Sequence, residues 1–443
     1  MVSSNQLKGV DNLATTKNII MKQFNGTDYD TLYPKTVAAQ IDDVYSKDET
    51  YPKSQLYTQS QLYTKQQVLS DATKTLYGLN SSAIPDDAFV ASVEANTGYI
   101  YITTKTSSGV VAGMPIMIDG VYAGKTGANG KARISVPFGA HTVKVVRPLD
   151  IASITPNTFN INVTDVNAIV LESTCVLSTA TEATISTSGN YGFSDRVEDF
   201  DACVVGGGGS GGAVSASSGI DGAAGGGGGG YVVNQYNLSA KTFNCFSAII
   251  GAGGSSVSAK GSGTSSQSDF TAGKDGGISS ITSQLSSEEI KALGGKAGNA
   301  SSRSTNGGDG GSGGGAGHGY QNKGGFGGTN GGDGETIDTF NQGTGTGGKG
   351  QGTTTRPFGD TSKTPLSPGG GGVGCKEKGS GNAGTAQTNG SPGAYADSSN
   401  VSAVAGTIMG SGGGAAITHN TTYTATSAKG TDGGILLRWR FKS

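Results

Sequence analysis

Bond-breaking chemistry needs nucleophiles, acids and bases in convergent groups, and this sequence of 443 residues offers few of them. With three histidines in total, it can supply neither a Ser/His/Asp grouping nor a His-Glu-x-x-His pair. His141 lies beside a strand-like run with no acidic or second histidine partner near it in the chain, so a structural role is expected. His318 is flanked by glycines and reads as an exposed side chain, although on a trimer axis it would meet its two symmetry copies. Cys175, Cys203, Cys245 and Cys375 stand 28, 42 and 130 residues apart, a spacing that matches no zinc or redox motif. Thiols in a protein made in a reducing compartment are the expectation. Glu288-Glu289 sits in a patch, Ser286 to Leu293, expected to be helical, where a carboxylate near the start serves as a cap. The glycine runs lack the Gly-Lys-Ser/Thr ending of a phosphate loop. Asn306-Gly-Gly-Asp309 and Asn330-Gly-Gly-Asp333 lack the nine-residue period of calcium-binding glycine repeats. We expect no catalytic residue, no metal, no cofactor and no enzymatic activity.

The remaining chemistry is that of contact. Tyr320, Phe326, Phe340, Arg356, Phe358, Lys376, Lys378 and Tyr395 interrupt a glycine-rich background. Most fall in the candidate loops 335–342, 353–367, 375–378 and 383–400. Such aromatic and cationic side chains suit stacking on sugars or filling pockets on a protein. Each of them could equally serve local packing. Presenting them to a partner requires a frame.

Glycine distribution indicates what that frame is. Of 79 glycines, 13 precede Val204 and 66 follow from there. Two unlike materials therefore join near residue 200. A net charge of −2 gives no case for binding nucleic acid. No run approaches the roughly 18 apolar residues of a membrane span. Residues 1–18 carry no apolar leader segment, so synthesis in the cytoplasm is expected.

Residues 1–44 are polar and rich in turn-formers, as an attachment segment would be. Four tandem hexads follow, beginning at Tyr45, Tyr51, Tyr57 and Tyr63. On a helix, six residues rotate about 600°, which scatters the tyrosines. In extended chain they share one face. Leu69, Ala72, Leu76 and Leu79 then follow helical spacing up to Gly78 and beyond. Alone, neither element buries enough to stand, and copies wound together over 45–90 would rescue both. The stretches Gly26-Thr-Asp-Tyr-Asp-Thr-Leu-Tyr-Pro-Lys-Thr36, the hexads, and Leu76-Tyr-Gly-Leu with Ile84-Pro-Asp-Asp87 resemble the N-terminal parts of tail fibre proteins of phages and phage-tail-like particles. That resemblance implies a homotrimer attached to a baseplate or tail protein.

Residues 96–173 carry six short alternating runs at roughly ten-residue spacing, the pattern of a β-sandwich. Ile118-Asp-Gly-Val-Tyr-Ala-Gly-Lys-Thr126 and Pro137-Phe-Gly-Ala-His-Thr-Val143 resemble the PEGA type of immunoglobulin-like module, which implies a non-catalytic spacer or weak surface binder. Residues 174–200 read as a linker. From 201 to 443, glycine runs alternate with strands at 231–236 and 243–250, and the end at 435–441 is expected to close the domain with Trp439 inward. Stacked helices of three residues per turn, akin to polyproline II, suit a chain in which glycine lets backbones approach closely. Val204-Val-Gly-Gly-Gly-Gly, Gly225 to Val233, Ile249-Ile-Gly-Ala-Gly-Gly254 and Gly430 to Trp439 resemble the glycine-rich domain at the tips of phage tail fibres and adhesins. The expected fold is mostly β: an extended or helical N-terminal shaft, an Ig-like sandwich, and a domain of packed polyglycine-II-type helices plus strands. The resemblance implies a receptor-binding fibre that acts on host polysaccharide or protein as part of a virion tail or tail-like particle. The alternative is a bacterial surface or matrix adhesin.

Overall fold

The computed structural model describes residues 21–24, 29–32, 97–165, 168–217, 220–262, 267–302, 305–317, 331–336, 344–345, 355–375 and 381–443. It divides into two units, Met1–Asn96 and Thr97–Ser443. In the first, β1 (Met21–Phe24) and β2 (Tyr29–Leu32) pair antiparallel with Phe24 opposite Tyr29. The expected hexad shaft and short helix over 45–90 lie outside the described residues. Among the described residues the protein is nearly all β, with a single 3-10 turn at Pro357–Gly359.

The second unit begins with a sandwich of eight strands: β3 (Thr97–Lys105), β4 (Pro115–Ile118), β5 (Val121–Lys125), β6 (Lys131–Pro137), β7 (Gly139–Val145), β8 (Ile151–Thr155), β9 (Thr158–Val163) and β10 (Ala168–Leu177). One sheet runs β6-β3-β10-β8 and the other β5-β4-β7-β9. Alternation decides the faces: Ile100 and Ile102 are fully buried while Tyr101 between them is exposed. Met114, Ile116, Val143, Val145 and Ile151 fill the space between the sheets. Burial of each contributes about 1.5–3 kcal/mol. Asp119 and Gly120 turn β4 into β5 with φ of 51° and 82°, the left-handed geometry that tight hairpins require. This turn gives His141 the acidic partner that its neighbourhood in the chain lacks. Asp119, 22 residues away in sequence, places Oδ2 2.7 Å from His141 Nδ1. The opposite ring nitrogen lies 2.9 Å from the Pro137 carbonyl.

Residues expected to be a linker are built into the glycine-rich half instead. β11 (Glu182–Ile185) and β13 (Val197–Val205) flank the strand Gly434–Phe441, with Val232–Ser239 outside β13. β12 (Gly189–Gly192) starts a second sheet with Cys245–Ile249, Ser279–Ser283 and Glu289–Ala292. The last of these falls where a helix was expected. Ser287 adopts φ 58°, the chain reverses, and Ile290 pairs opposite Ile281, so Ile290 and Ala292 turn inward and Glu289 and Lys291 outward. Phe193, Phe200, Phe243, Phe246 and Trp439 pack in the core cluster to which both sheets contribute, with Trp439 inward as expected. Rings of Phe193 and Phe200 lie 4.7 Å apart, and Phe200 meets Phe243 edge-on at 5.5 Å.

Beyond the sheets the glycine runs form a lattice. Gly206, Gly209 and Gly212 donate backbone N–H bonds to the carbonyls of Tyr231, Gly228 and Gly225. Gly207 and Ser210 donate to Gly277 and Lys274, and Gly208 and Gly211 to Thr431 and Ala428. Every third residue thus addresses the same neighbour, the signature of a three-residue helix whose N–H groups point sideways. The carbonyls of the same run accept from Gly254, Gly295, Gly298, Gly413 and Ala416, which lie in three further segments. Six neighbours surround this one helix. Gly225–Gly230 repeats the scheme, donating to 296–299, 312–315 and 410–413.

The reason for glycine here is close approach, since these residues do not need a positive φ. A Cβ on Gly208 would lie 2.0 Å from the Ser411 carbonyl oxygen, and one on Gly230 1.9 Å from that of Gly206. Where a bond of the lattice would be lost, buried serines fill in: Ser210 Oγ accepts the Lys274 amide at 2.7 Å and Ser391 Oγ the Gly414 amide at 2.6 Å. At the outer wall the residues change type. Asp275, Lys296 and Asp309 stand exposed on adjacent helices, and Lys296 Nζ meets Asp275 at 2.8 Å.

The sandwich is fastened to this half through buried polar groups. Asp150, fully buried, accepts the Ser194 amide at 2.9 Å and its hydroxyl at 2.5 Å. Asn244 Nδ2 donates to the carbonyls of Gly113 and Phe193, both at 2.7 Å.

Candidate functional site

The lattice has two ends. Gly206 continues directly from β13 and so lies against the sheets, while Gly212 leads to the far end. There the helices give way to small sheets, two of which carry the loops described next. Asp269–Thr271, Ala213–Ser215, Ala416–Thr418 and Ala394–Ala396 form one, and Ser258–Lys260, Thr424–Thr426 and Val401–Ser402 the other. Two loops cross between them, at 397–400 and 419–423, and the described ends of two further connections, 261–262 with 267–268 and 216–217 with 220–221, lie beside them.

Hydrogen bonds tie these loops into one face. Ser215 Oγ donates to the Tyr423 carbonyl at 3.2 Å and accepts the Gly261 amide at 3.1 Å. Ser268 Oγ accepts the Ser217 amide at 3.0 Å, and Thr418 Oγ1 donates to the Ser399 carbonyl at 3.1 Å. His419 is 1% exposed; its Nε2 donates to the Ile220 carbonyl at 3.2 Å and its amide to Ala396. Asn400 Oδ1 accepts the Thr424 amide and Asn420 Oδ1 the Thr422 amide, each at 2.9 Å. Their carbonyl oxygens being used, both side chains keep Nδ2 donors for solvent or a ligand. A fixed array of hydroxyls and amides on a rigid support is fit for binding. Among the described residues no cluster of three or more metal-ligating side chains occurs.

Of the residues singled out in sequence, Tyr320, Phe326, Phe340, Lys376 and Lys378 lie outside the described residues. Tyr395 stands just below the far-end face, opposite Ile417. Its hydroxyl donates to Asp397 and lies 3.5 Å from Cys375 Sγ, and the Gly381 backbone covers its ring. Burial, reinforced by the Asp397 contact, pushes the phenol pKa up. Arg356 and Phe358 are elsewhere, on the sheet containing β13. Asn234 clamps their loop by donating to the Arg356 carbonyl at 3.1 Å and accepting the Phe358 amide at 3.0 Å. Phe358 is 8% exposed, packs with Cys203, Val205, Val232 and Leu366, and carries the Arg438 guanidinium 4.6 Å above its ring. It serves packing, and Arg356 Nη1 is engaged by the Thr361 carbonyl at 2.8 Å. The three residues are not brought together. Asn420, Tyr423 and His419 went unremarked in the sequence, although Thr418-His-Asn-Thr-Thr-Tyr423 is a polar run between two small alternating segments, the mark of a loop.

A family model described as a glycine-rich domain matches residues 182–440. The chain belongs to that family. The glycine-rich domain thus begins at β11, the strand paired with Gly434–Phe441, and includes both sheets with the lattice. No curated protein matches the chain. Among solved structures, a streptococcal ancillary pilin is similar at 10% identity, covering 45% of this chain and 51% of that one with a TM-score of 0.16. The chain spans about half the length of that pilin, and so loose a superposition carries no argument.

Proposed function

We propose that the protein is a receptor-binding fibre that attaches a phage or a contractile phage-tail-like particle to a bacterial host by non-catalytic adhesion. The observation that carries this reading is the far-end face: loops cross-tied to one another and mounted on a lattice whose backbones pack so closely that its interior holds little beyond glycine and small side chains such as Ser210. Loops on a rigid support are where binding residues concentrate. The N-terminal resemblance to tail fibres supplies the other half of the reading, with residues 1–44 meeting a baseplate and three copies joined over 45–90. Three faces on one fibre raise avidity by orders of magnitude over a single contact. The protein is made in the cytoplasm and acts outside it, carried by the particle, with no nucleic acid, cofactor or membrane insertion involved.

Light scattering on the purified chain tests the assembly and should give a solution mass near three times 44.1 kDa. The same preparation, fluorescently labelled, should decorate whole cells of some strains in a bacterial panel and leave others bare. A monomer that decorates no strain refutes the reading.

A further inference from the structure

The far-end face has a chemistry that separates the two kinds of host receptor. Its outward side chains are hydroxyls and amides, among them Gln267, Ser398, Ser399, Asn400, Asn420 and Thr422. Two of its carboxylates are turned to internal use, Asp269 accepting the Lys260 amide at 2.9 Å and Asp397 the Tyr395 hydroxyl. Among the described residues, no large hydrophobic side chain that is exposed belongs to these loops. Tyr101, Val121 and Val170 lie on the sandwich, Ile249, Ile278 and Leu293 near the sheet end of the lattice, and Val404, 71% exposed, follows the strand Val401–Ser402 outside these loops. A protein partner requires an apolar, desolvated centre with aromatic or Arg anchors. The described residues of these loops form no such centre.

It does have what a sugar requires. Neutral sugars present hydroxyl groups that both donate and accept, and amides answer them with directional bonds. The Asn400 and Asn420 amides are held in place, because their oxygens are fixed by the Thr424 and Thr422 amides. Little rotamer entropy remains to be lost on binding. Tyr423, half-buried, belongs to the same loop as Asn420 and is anchored through its carbonyl by Ser215. Resting on the adhesion reading above, we infer that the far-end face binds a neutral polysaccharide of the cell surface, with the Asn400 and Asn420 amides as donors to sugar oxygens.

The test uses the full chain and a strain that it decorates. Cells are treated with periodate, which cleaves vicinal diols of sugars, or with proteinase K, which removes exposed protein. Periodate should lower binding at least tenfold, and proteinase K should change it less than twofold. Loss after proteinase K overturns the inference in favour of a protein receptor while leaving adhesion intact. Failure to decorate any untreated strain overturns the adhesion reading itself. The double variant Asn400→Asp, Asn420→Asp keeps both acceptor oxygens and removes both pairs of N–H donors. It should bind at least tenfold more weakly at an unchanged melting temperature. Full binding by this variant overturns the assignment of the face.

Discussion

Replacing Gly227 by alanine tests whether close approach, rather than flexibility, explains the glycine runs. The added Cβ would lie 2.1 Å from the Gly209 carbonyl oxygen and 2.5 Å from its carbon. Ordinary contact needs more than about 3 Å, so one helix must move by about 1 Å. Gly227 donates to the Gly413 carbonyl and accepts the Gly370 amide, both at 2.8 Å. A displacement of about 1 Å takes both bonds beyond hydrogen-bonding range. Each group left buried and unpaired costs about 1–3 kcal/mol. The stiffer unfolded chain returns about 0.4–1 kcal/mol. With four groups unpaired, the net is a loss of at least about 3 kcal/mol, a large part of the roughly 5–15 kcal/mol that holds a domain together. Urea unfolding followed by the fluorescence of Trp439, the single tryptophan, measures it directly. The comparison variant is Gly109→Ala, whose Cβ would meet nothing within 4 Å and which should stay within about 0.5 kcal/mol of the parent. If Gly227→Ala costs less than about 1 kcal/mol, the lattice does not exclude side chains and the argument from close approach fails.

Two further outcomes follow from the titrating groups. Burial pushes the thiols of Cys175 to about 11 and of Cys203 and Cys245 to about 12, so they should ignore a disulfide reagent at pH 8 until urea unfolds the chain. Rapid labelling of the native protein at Cys203 would contradict the packing around it. The hydrogen bond that His141 donates to Asp119 raises the His141 pKa, and the same contact lowers that of Asp119. The histidine's contribution is complete below its ordinary value and is lost as pH rises through the raised one. The carboxylate's is present above its ordinary value and is lost as pH falls through the lowered one. Asp119→Asn should therefore return His141 toward about 6.5 in an NMR titration, and an unmoved titration would refute the pairing.

The sandwich strands were legible because alternation needs only neighbours in sequence: Tyr99-Ile-Tyr-Ile102 declares its two faces without help. The lattice was legible in kind, since glycine runs that hold Ser210 but nothing bulky fit three-residue helices. Its pairing was not, because the partners of Gly206–Gly212 come from segments as distant as Thr431. Long range also explains the particular misses. β11 reads as a Thr/Ser-rich connection until Gly434–Phe441, some 250 residues later, pairs with it. The run Glu289-Ile-Lys-Ala292 already alternates, but two adjacent glutamates suggested a helix start, and only Ile281 across the sheet decides for a strand. Phe358 looked like a loop tip because nothing nearby in the chain shows that its loop folds back onto Cys203 and Val232. Asn400 fell within a candidate loop; Asn420 did not, since an amide becomes a fixed donor only when its own turn captures the oxygen.

The six-neighbour arrangement also governs how the molecule can be made. Gly206–Gly212 leaves the ribosome early among the glycine runs, yet it donates to Thr431 and Ala428, and β13 pairs with Gly434–Phe441 along most of its length. Contacts of such sequence separation form slowly. The first helix of the lattice therefore lacks its neighbours at 413–416 and 428–431 until about two hundred further residues have been translated. The sandwich, whose partners all lie within residues 97–177, can be complete long before. Assembly of the tip is in this sense post-translational, and synthesis of the last strand sets when it begins.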